Sequence, residues 1–441
     1  MTEKKTLGLN QTQLSLVLFF VLCRLTILLF YDAYVSDVSF YQDIAKQGLL
    51  THAKAYENFA FGYPPLSLFF VYLPGWFSNL DFWDYWRNFR AQMFIVDLTL
   101  FAACFYYLKR NLELEDEKIV HFVVFYTLFG FLQGHLIYDR LDLFIVASLL
   151  GLFLAFNSPR RTQATIIIIS TLGMLIKFVP FLYAIVLNLI CDFMKKSAPP
   201  KALKDGLVLI KNGLRELCLL LLPFFTILLL YQVIHAKGVL ADLKMHFQRG
   251  IQVESTWATP IAIKHLIKPQ ASLVVNNYGA QHIDETQVPE WYLSLSKISG
   301  ILVLAAFGLY LFLKKGQKIF RVPWTAREAS YFSALIWLVV FLLFLATQRV
   351  LSPQFFIWIM IPISVLLALE FDAKLAFLAL ATYVLTYVGF DIGYWKFVEG
   401  SPFFVTIVTL RNITLLIFAF YSLQKLSLFE PSGSSQKDND L

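Results

Sequence analysis

Residues 14–31 read LSLVLFFVLCRLTILLFY, a run whose only charged side chain is Arg24. A helix that crosses a lipid bilayer needs about 20 predominantly apolar residues, so this run predicts a membrane-spanning helix. The basic start of the chain resembles that of a signal peptide. No small-residue cleavage site follows Phe30, however, and we expect the helix to be retained. Comparable apolar runs occur at 217–234, 301–313, 331–346 and 403–423.

The composition agrees with a chain built from many such helices. Apolar residues make up 58% of the 441 residues and charged residues only 15%, which excludes an ordinary soluble domain. The four cysteines, Cys23, Cys104, Cys191 and Cys218, lie in or beside apolar runs, so we expect neither a disulfide framework nor a thiolate metal site. The sequence therefore predicts an all-α polytopic membrane protein.

Three groups of basic residues orient the predicted helices, because Lys and Arg concentrate in cytoplasmic loops. They are Arg160 with Arg161, the stretch 195–215 and the stretch 314–327. We place all three on the inner side, together with the N-terminus and the C-terminus. The net charge of +7 then belongs to these loops, and it predicts contact with anionic membrane lipids and no binding of nucleic acid.

The apolar run 66–77 decides the parity of the crossings. If this run crossed the membrane, Arg160 and Arg161 would face outward, against the positive-inside rule. Two prolines open the run, Pro74 lies near its end, and its length of about a dozen residues is short for a span. We therefore predict an interfacial helix in the first outer loop.

The remaining runs predict about twelve crossings, within a range of ten to thirteen. An alternative exists around Lys177 and Pro180. A single kinked helix there would reverse the membrane orientation of the upstream segments relative to the downstream ones. The basic loops on both sides favour two crossings there. The predicted crossings are 14–31, 89–108, 119–133, 142–156, 164–176, 178–192, 217–234, 299–313, 329–346, 355–370, 374–390 and 403–424.

This topology gathers the polar loops on the outer face of the membrane. The two long ones are residues 32–88 and 235–297. We expect a single integral membrane domain over 1–424. Residues 425–441 form the cytoplasmic tail, which we expect to be disordered because its end is rich in Ser, Gly, Asp and Lys.

Asp37 and Tyr41 in the first outer loop are four residues apart, so they share a face if the chain turns helical after Ser36. A carboxylate that reaches an acceptor hydroxyl can act as a general base. An Asp at the membrane edge can equally cap a helix. The spacing leaves both interpretations open.

Two outer turns carry further charges. Tyr138, Asp139, Arg140 and Asp142 directly precede an apolar helix, where they can contact a sugar or a phosphate, or pair with one another and cap the helix. We favour function, because Asp142 lies close to the hydrocarbon boundary and a charge at that depth is costly. Lys177 either snorkels to the surface or meets a lipid phosphate.

The long outer loop contains a polar string, HFQRGIQVES, over residues 246–255. Arg249 offers a bidentate contact to a phosphate or a carboxylate, and His246 and Glu254 flank it. A solvated loop helix is the plainer interpretation of this string. The turn 349–354 adds the guanidinium of Arg349 and the amide of Gln354, in a segment that also has an ordinary helix start.

These features resemble the GT-C superfamily of membrane glycosyltransferases, and most closely the mannosyltransferase-like glycosyltransferase family 87. Four motifs carry the resemblance: Asp37 with Tyr41, the run YPPL at 63–66, the string RGIQVES at 249–255 and the run SPQ at 352–354. Each motif alone is weak, but their order and topology are specific, and they extend over residues 37–354.

The resemblance implies transfer of a hexose, with mannose as the first expectation. The donor would be a polyprenyl-phosphate sugar, the acceptor a lipid or a glycan on the outer face, and the anomeric carbon would be inverted. Asp37 would match the general base of the superfamily, and no cofactor or divalent metal is required. The residues expected to bind the donor phosphate or sugar are Tyr41, Tyr63, Asp139, Arg140, Lys177, His246, Arg249, Glu254, Arg349 and Gln354.

Two rival functions belong to other classes. A secondary transporter or lipid flippase would use intramembrane charges such as Arg24 and Asp97, although we expect these two to have a structural role, by pairing or by hydrogen-bonding within the bundle. It predicts binding groups near the bilayer midplane, whereas the candidate groups here lie in outer loops. A non-enzymatic subunit of surface-polysaccharide assembly would tolerate the loss of Asp37.

Overall fold

The computed structural model describes residues 10–31, 37–159, 162–195, 203–234, 248–268, 274–277, 279–311 and 324–431. Within these ranges the chain forms sixteen α-helices and one β-hairpin. The helices are α1 Gln11–Phe30, α2 Asp37–Leu50, α3 Leu66–Trp76, α4 Phe82–Tyr106, α5 Asp116–Phe131, α6 Asp142–Asn157, α7 Gln163–Met174, α8 Phe181–Lys195, α9 Leu203–Ile234, α10 Thr259–Ile267, α11 Glu290–Tyr310, α12 Ala326–Thr347, α13 Ile357–Leu369, α14 Ala373–Tyr387, α15 Tyr394–Val398 and α16 Pro402–Leu428.

The remaining regular elements are short. Strands β1 (Val274–Asn277) and β2 (Ala280–Ile283) pair antiparallel, with Val274 opposite Ile283. π-helices at Tyr107–Asn111 and Val388–Ile392 continue α4 and α14, and 3₁₀ turns at Gly134–Ile137 and Pro353–Phe356 follow α5 and precede α13.

Seven helices of the described ranges are long and apolar enough to cross a membrane. This agrees with the predicted all-α polytopic membrane protein. The seven segments are Gln11–Phe30, Phe82–Asn111, Gly213–Ile234, Glu290–Tyr310, Ala326–Thr347, Ala373–Ile392 and Pro402–Leu428.

Helices α12 and α13 form the centre of the molecule. Every residue of α13 is buried, and the indole N–H of Trp337 on α12 donates to the carbonyl of Trp358 on α13 at 2.9 Å. The peripheral helices are less covered by protein, since Leu230 on α9 and Ile301 on α11 are largely exposed. A helix that is apolar all round and partly uncovered is typical of one that faces lipid.

A buried ion pair joins α1 to α4 and confirms the expected pairing of Arg24 with Asp97. The guanidinium Nε lies 2.7 Å from the carboxylate, and Arg24 also donates to the backbone carbonyls of Tyr126 and Thr127. The hydroxyls of Tyr126 and Tyr138 donate to Asp97 at 2.6 and 2.8 Å. With these groups satisfied inside the protein, the pair has a structural role.

The connections between helices lie at two ends of the bundle. At one end, the side chains of Asn10 and Lys109 both contact Asp116. At the other end, Leu66 donates its amide to the carbonyl of Leu175 at 2.9 Å, and Gln252 donates to that of Arg349 at 2.8 Å. We call this second end the loop end; it comprises residues 31, 37–81, 132–141, 175–180, 248–268, 274–277, 279–289, 348–356 and 388–401.

Several predicted helix boundaries are wrong, in each case because a helix begins with polar turns that a search for apolar runs passes over. Helix α4 starts at Phe82 and not at 89, α9 at Leu203 and not at 217, and α11 at Glu290 and not at 299. The start of α4 is fixed by Asp81, whose carboxylate accepts from the amide of Trp83 at 3.0 Å. The predicted disordered tail also begins too early, because α16 extends to Leu428.

Other predictions about the fold are confirmed. Two separate helices, α7 and α8, flank Lys177, which excludes the single kinked helix. Residues 66–76 form the short helix α3. The four cysteines are free thiols in the structure. The basic residues Arg160 and Arg161, and most of the stretch 314–327, lie outside the described residues.

Candidate functional site

Asp37 is the first residue of α2, and its side chain forms an ion pair with Arg140. The expected helical face is present, since Tyr41 lies one turn further along α2 and is buried. The Tyr41 and Tyr63 hydroxyls are 3.3 Å apart. Asp37 therefore occupies a first-turn position that favours a carboxylate, and it also faces a guanidinium, with 39% of its side chain still exposed.

Arg140 and its neighbour Asp139 point to different partners. Arg90 on α4 donates two hydrogen bonds, of 2.6 and 2.9 Å, to the buried Asp139 carboxylate. It also donates to the carbonyl of Tyr31. This bidentate pair anchors the turn, so the structure gives Asp139 a structural contact and leaves Arg140 to face Asp37. Burial lowers the pKa of Arg140 to about 10, although Asp142 and Tyr394 oppose the shift.

Lys177 does not snorkel to the surface. Its ammonium lies 3.0 Å from the carboxylate of Asp142, and it sits over the rings of Phe355 and Trp358 at 4.7 and 5.0 Å. The indole N–H of Trp358 donates to the same carboxylate at 2.7 Å. Burial lowers the pKa of Lys177, and the nearby guanidiniums of Arg140 and Arg249 lower it further, while Asp142 raises it.

Arg249 lies close to Lys177 and Tyr63. Burial lowers the pKa of Arg249, while Tyr63 raises it. The Nε atom of this guanidinium is buried and has no hydrogen-bond partner among the described residues. A buried donor without a partner is costly, so it marks a position where a ligand oxygen or a water would be stabilised.

The segment that carries Arg249 is not the solvated loop helix that was the plainer prediction. Thr256 and Trp257 donate side-chain hydrogen bonds to the carbonyls of Ala346 and Thr347 at 2.6 and 2.9 Å, at the end of α12. The amide of Val253 bonds to Gln281 of the hairpin at 3.1 Å. Hydrogen bonds to two elements therefore hold the segment against the bundle.

Glu254 is 1% exposed and belongs to a second buried group. Tyr394 hydrogen-bonds its carboxyl, and Arg411 on α16 donates to its backbone carbonyl at 2.6 Å. Burial raises the pKa of Glu254 to about 7, although Arg411 and the hydrogen bonds from Tyr394 and Gln252 lower it. Tyr394 lies near Arg140 as well, so this group adjoins the Asp37 pair.

The remaining predicted residues have different surroundings. Arg349 is mostly buried near Glu285, and burial lowers its pKa. The side chain of Gln354 accepts a hydrogen bond from Ser352, which is an ordinary local contact at the start of a helix. His246 lies outside the described residues. Over the described ranges, no group of three or more His, Cys, Asp or Glu side chains is arranged to hold a metal ion.

The structure also contains site residues that the sequence analysis missed. Arg411 is the clearest, because a lone arginine inside the apolar run 403–424 was visible in the sequence. Phe355, Trp358 and Tyr394 gave no such signal, since aromatic residues are common throughout this chain. Their roles depend on contacts across long distances in sequence.

Taken together, three of the predicted cations, Arg140, Lys177 and Arg249, lie near one another at the loop end, and the carboxylates of Asp37 and Asp142 pair with the first two. Such a cluster can stabilise an anion such as a phosphate, and Asp37 beside it can accept a proton. A cavity of about 940 Å³ lies elsewhere, at the opposite end, and none of the predicted site residues lines it.

A comparison of the chain with known protein families and with curated protein sequences finds no match.

Proposed function

We propose that this protein is a membrane glycosyltransferase that moves a hexose from a polyprenyl-phosphate donor to a lipid or glycan acceptor. The observation that carries the proposal is the position of Asp37: its carboxylate stays partly exposed at the edge of a cluster of buried cations. Such a transfer needs a base that accepts the proton of the acceptor hydroxyl, and cationic groups that stabilise the leaving phosphate.

The proposed reaction is a single inverting displacement. Asp37 accepts the proton of the acceptor hydroxyl, whose oxygen forms a bond to the anomeric carbon as the bond from that carbon to the phosphate oxygen breaks. The lipid phosphate leaves with the bonding electron pair. Lys177 and Arg249 would stabilise the negative charge on it, because both are partly buried, where electrostatic interactions are stronger than in water.

Arg140 has a distinct part in this proposal. Its ion pair with Asp37 favours the ionised carboxylate, which is the form that accepts a proton. It also fixes the direction of the carboxylate, because the ion pair joins the first residue of α2 to the turn before α6. The acceptor hydroxyl would approach Asp37 from its exposed side.

The proposed topology is the GT-C arrangement with twelve crossings and both termini inside. Beyond the seven long helices, α5, α6, α7, α8 and α13 would cross, and α3 would lie at the outer interface. Exposed Phe69 and Trp76 on α3 support the interfacial position, because aromatic side chains favour the boundary between lipid and water. Asp37 would then face the outside.

The test compares Asp37→Asn with Asp43→Asn, an exposed carboxylate on the same helix. Purified protein is incubated with polyprenyl-phosphate hexoses and candidate lipid acceptors, and glycosylated product is measured. We expect Asp37→Asn to reduce transfer at least about 100-fold, in the range that general bases contribute, and Asp43→Asn to leave it unchanged. Unchanged transfer by Asp37→Asn would remove Asp37 as the base. If the wild-type protein turned over no lipid-linked sugar, the transporter would become the better hypothesis.

A further inference from the structure

His135 and Asp391 form an ion pair at the loop end that the proposed chemistry does not use. His135 Nδ1 lies 2.6 Å from Asp391 Oδ1, with side-chain exposures of 27% and 6%. His135 belongs to the 3₁₀ turn Gly134–Ile137 after α5, and Asp391 to the π-helix Val388–Ile392 after α14. The pair therefore joins two elements that are more than 250 residues apart in the sequence.

The backbone of both elements is adapted to this contact. Gly134 has φ of +56°, and a Cβ atom at this position would overlap the Asp391 carboxylate. Only glycine both adopts this conformation readily and leaves room for the carboxylate. The π-helix is a rare element that is found frequently at functional sites.

The connection between α5 and α6 carries both His135 and Arg140, the partner of Asp37. The amides of Tyr138 and Asp139 donate to the carbonyl of His135 at 3.1 and 3.0 Å. Asp139 is fixed by Arg90 on one side of this turn, and Arg140 follows directly and pairs with Asp37. Contacts at His135 and Asp139 therefore hold the short segment 135–140 in place. Its last residue, Arg140, pairs with the proposed base Asp37.

Four groups face His135 from the surrounding elements. Asp391 is in direct contact from the π-helix, and Asp139 is nearby on the same turn. Arg90 approaches from α4, and the ring of Tyr31 at the end of α1 lies 6.5 Å from the imidazole. Burial lowers the pKa of His135, but Asp391 and Asp139 together outweigh burial and Arg90, and the resulting pKa is raised above the usual 6.5.

We propose that His135 and Asp391 form a protonation-dependent clamp that positions Arg140, and through it Asp37. The inference about Asp37 rests on the proposed glycosyl transfer, but the clamp itself does not. His135 and Asp391 are positioning residues, since neither contacts the reacting atoms in this scheme. The clamp is closed when His135 is protonated and Asp391 is ionised, and it weakens when the imidazole loses its proton.

The direction of the pH dependence follows from the raised pKa of His135 in the folded protein. The clamp contributes its full stabilisation below the unfolded-state pKa of about 6.5, and this contribution is lost as the pH rises through the higher folded-state value. The clamp should therefore be strongest in mildly acidic solution and weakest in alkaline solution.

The test uses His135→Gln and Asp391→Asn, which keep similar shapes and remove one charge each. His121→Gln is the matched control, because His121 lies on α5 and its ring packs against that of Phe371 outside the loop end. Hydrogen exchange of the amides of residues 138–140 is compared between variants at equal pH, from pH 5.5 to 9. We expect exchange in both clamp variants to be roughly tenfold faster than in wild type at pH 5.5, and the difference to vanish at pH 9.

Transfer activity over the same pH range is the second readout. The clamp variants should lose roughly tenfold at pH 5.5 and match the wild type at pH 9, whereas His121→Gln should follow the wild type throughout. Exchange profiles identical to wild type in both clamp variants would overturn the clamp. Altered exchange with unaltered transfer would overturn its positioning role. Absence of transfer in the wild type would refute the proposed function, and the exchange result would still decide the clamp.

Discussion

Asp37 and Glu254 are two carboxyl groups of one site in opposite environments. Asp37 is partly exposed and meets a guanidinium directly, which favours its ionised form. Glu254 is buried, its pKa is raised to about 7, and one of its oxygens has no hydrogen-bond partner among the described residues. The two carboxyl groups therefore differ in environment, and in the proposed mechanism Asp37 is the one that an acceptor hydroxyl can reach, because its side chain is partly exposed.

The state of Glu254 leads to a stability prediction. Its pKa is raised from 4.5 in the unfolded chain to about 7 in the fold, so the folded protein binds this proton more tightly and loses stability as the pH rises from about 4.5 to 7. Glu254→Gln replaces the titratable carboxyl group by a neutral amide of similar shape. We expect the variant to gain up to about 3 kcal/mol relative to wild type at pH 8 and almost nothing at pH 4.5.

Thermal unfolding of the purified protein at several pH values measures this difference. The control is Glu290→Gln, an exposed glutamate in the first turn of α11 that lies outside the site. An equal change in midpoint for Glu254→Gln at pH 4.5 and pH 8 would show that the carboxyl group of Glu254 does not titrate in this window.

At the residue scale, the sequence indicated relations within one helix and one pair of buried charges, but not the other contacts between distant segments. The spacing of Asp37 and Tyr41 was enough to place them on one face, because α-helical geometry is fixed. The pairing of Arg24 with Asp97 followed from the cost of a lone charge among apolar residues. The contacts of Arg140 with Asp37 and of Arg411 with Glu254 depend on how α2, α6 and α16 pack, which no local pattern specifies.

At the element scale, close approach between helices depends on small residues at particular crossings. Gly130 on α5 lies against Arg24 on α1, and a Cβ atom there would overlap the guanidinium that pairs with Asp97. Gly308 on α11 is different, since a Cβ atom there would meet nothing within 4 Å. These two glycines are a matched pair for testing the crossing of α1 and α5.

We expect Gly130→Ala to destabilise the protein by about 1–3 kcal/mol, because the buried ion pair has to shift to make room. Gly308→Ala should be neutral or slightly stabilising, because alanine has the higher helix propensity. Thermal midpoints in the same detergent measure both effects. If the two variants had equal midpoints, the tight crossing of α1 and α5 would not exist as described.

The helices themselves were predictable where an apolar run is long, and their ends were not. Helix α12 starts at Ala326, three residues before its predicted start, because few polar residues precede its long apolar run 331–346. Helix α11 begins two turns early because residues 290–297 contain Glu, Ser and Lys, which hide the helix from a hydropathy pattern. Polar side chains at a helix end are expected where the helix leaves the lipid, so hydropathy systematically shortens such helices.

At the scale of the whole molecule, the site exists only if the topology places five separate segments at one end. Asp37, Arg140, Lys177 and Arg249 come from different connections, and Arg411 comes from the last long helix. Each connection returns to the loop end because an even number of helices separates it from the one before. The parity of the crossings is therefore a condition for the proposed chemistry, and not only a matter of orientation.

Cysteine labelling tests this parity directly. Lys54 on the loop after α2 and Lys374 at the start of α14 are both exposed and lie at opposite ends of the bundle. In a background without the four native cysteines, Lys54→Cys and Lys374→Cys are treated in intact cells with a membrane-impermeant maleimide. With twelve crossings and the N-terminus inside, Lys54→Cys should react in intact cells, and Lys374→Cys only after permeabilisation, because nine crossings separate the two positions. Reaction of both from the same side would require an even number of crossings between them, which would place part of the site on the wrong side of the membrane.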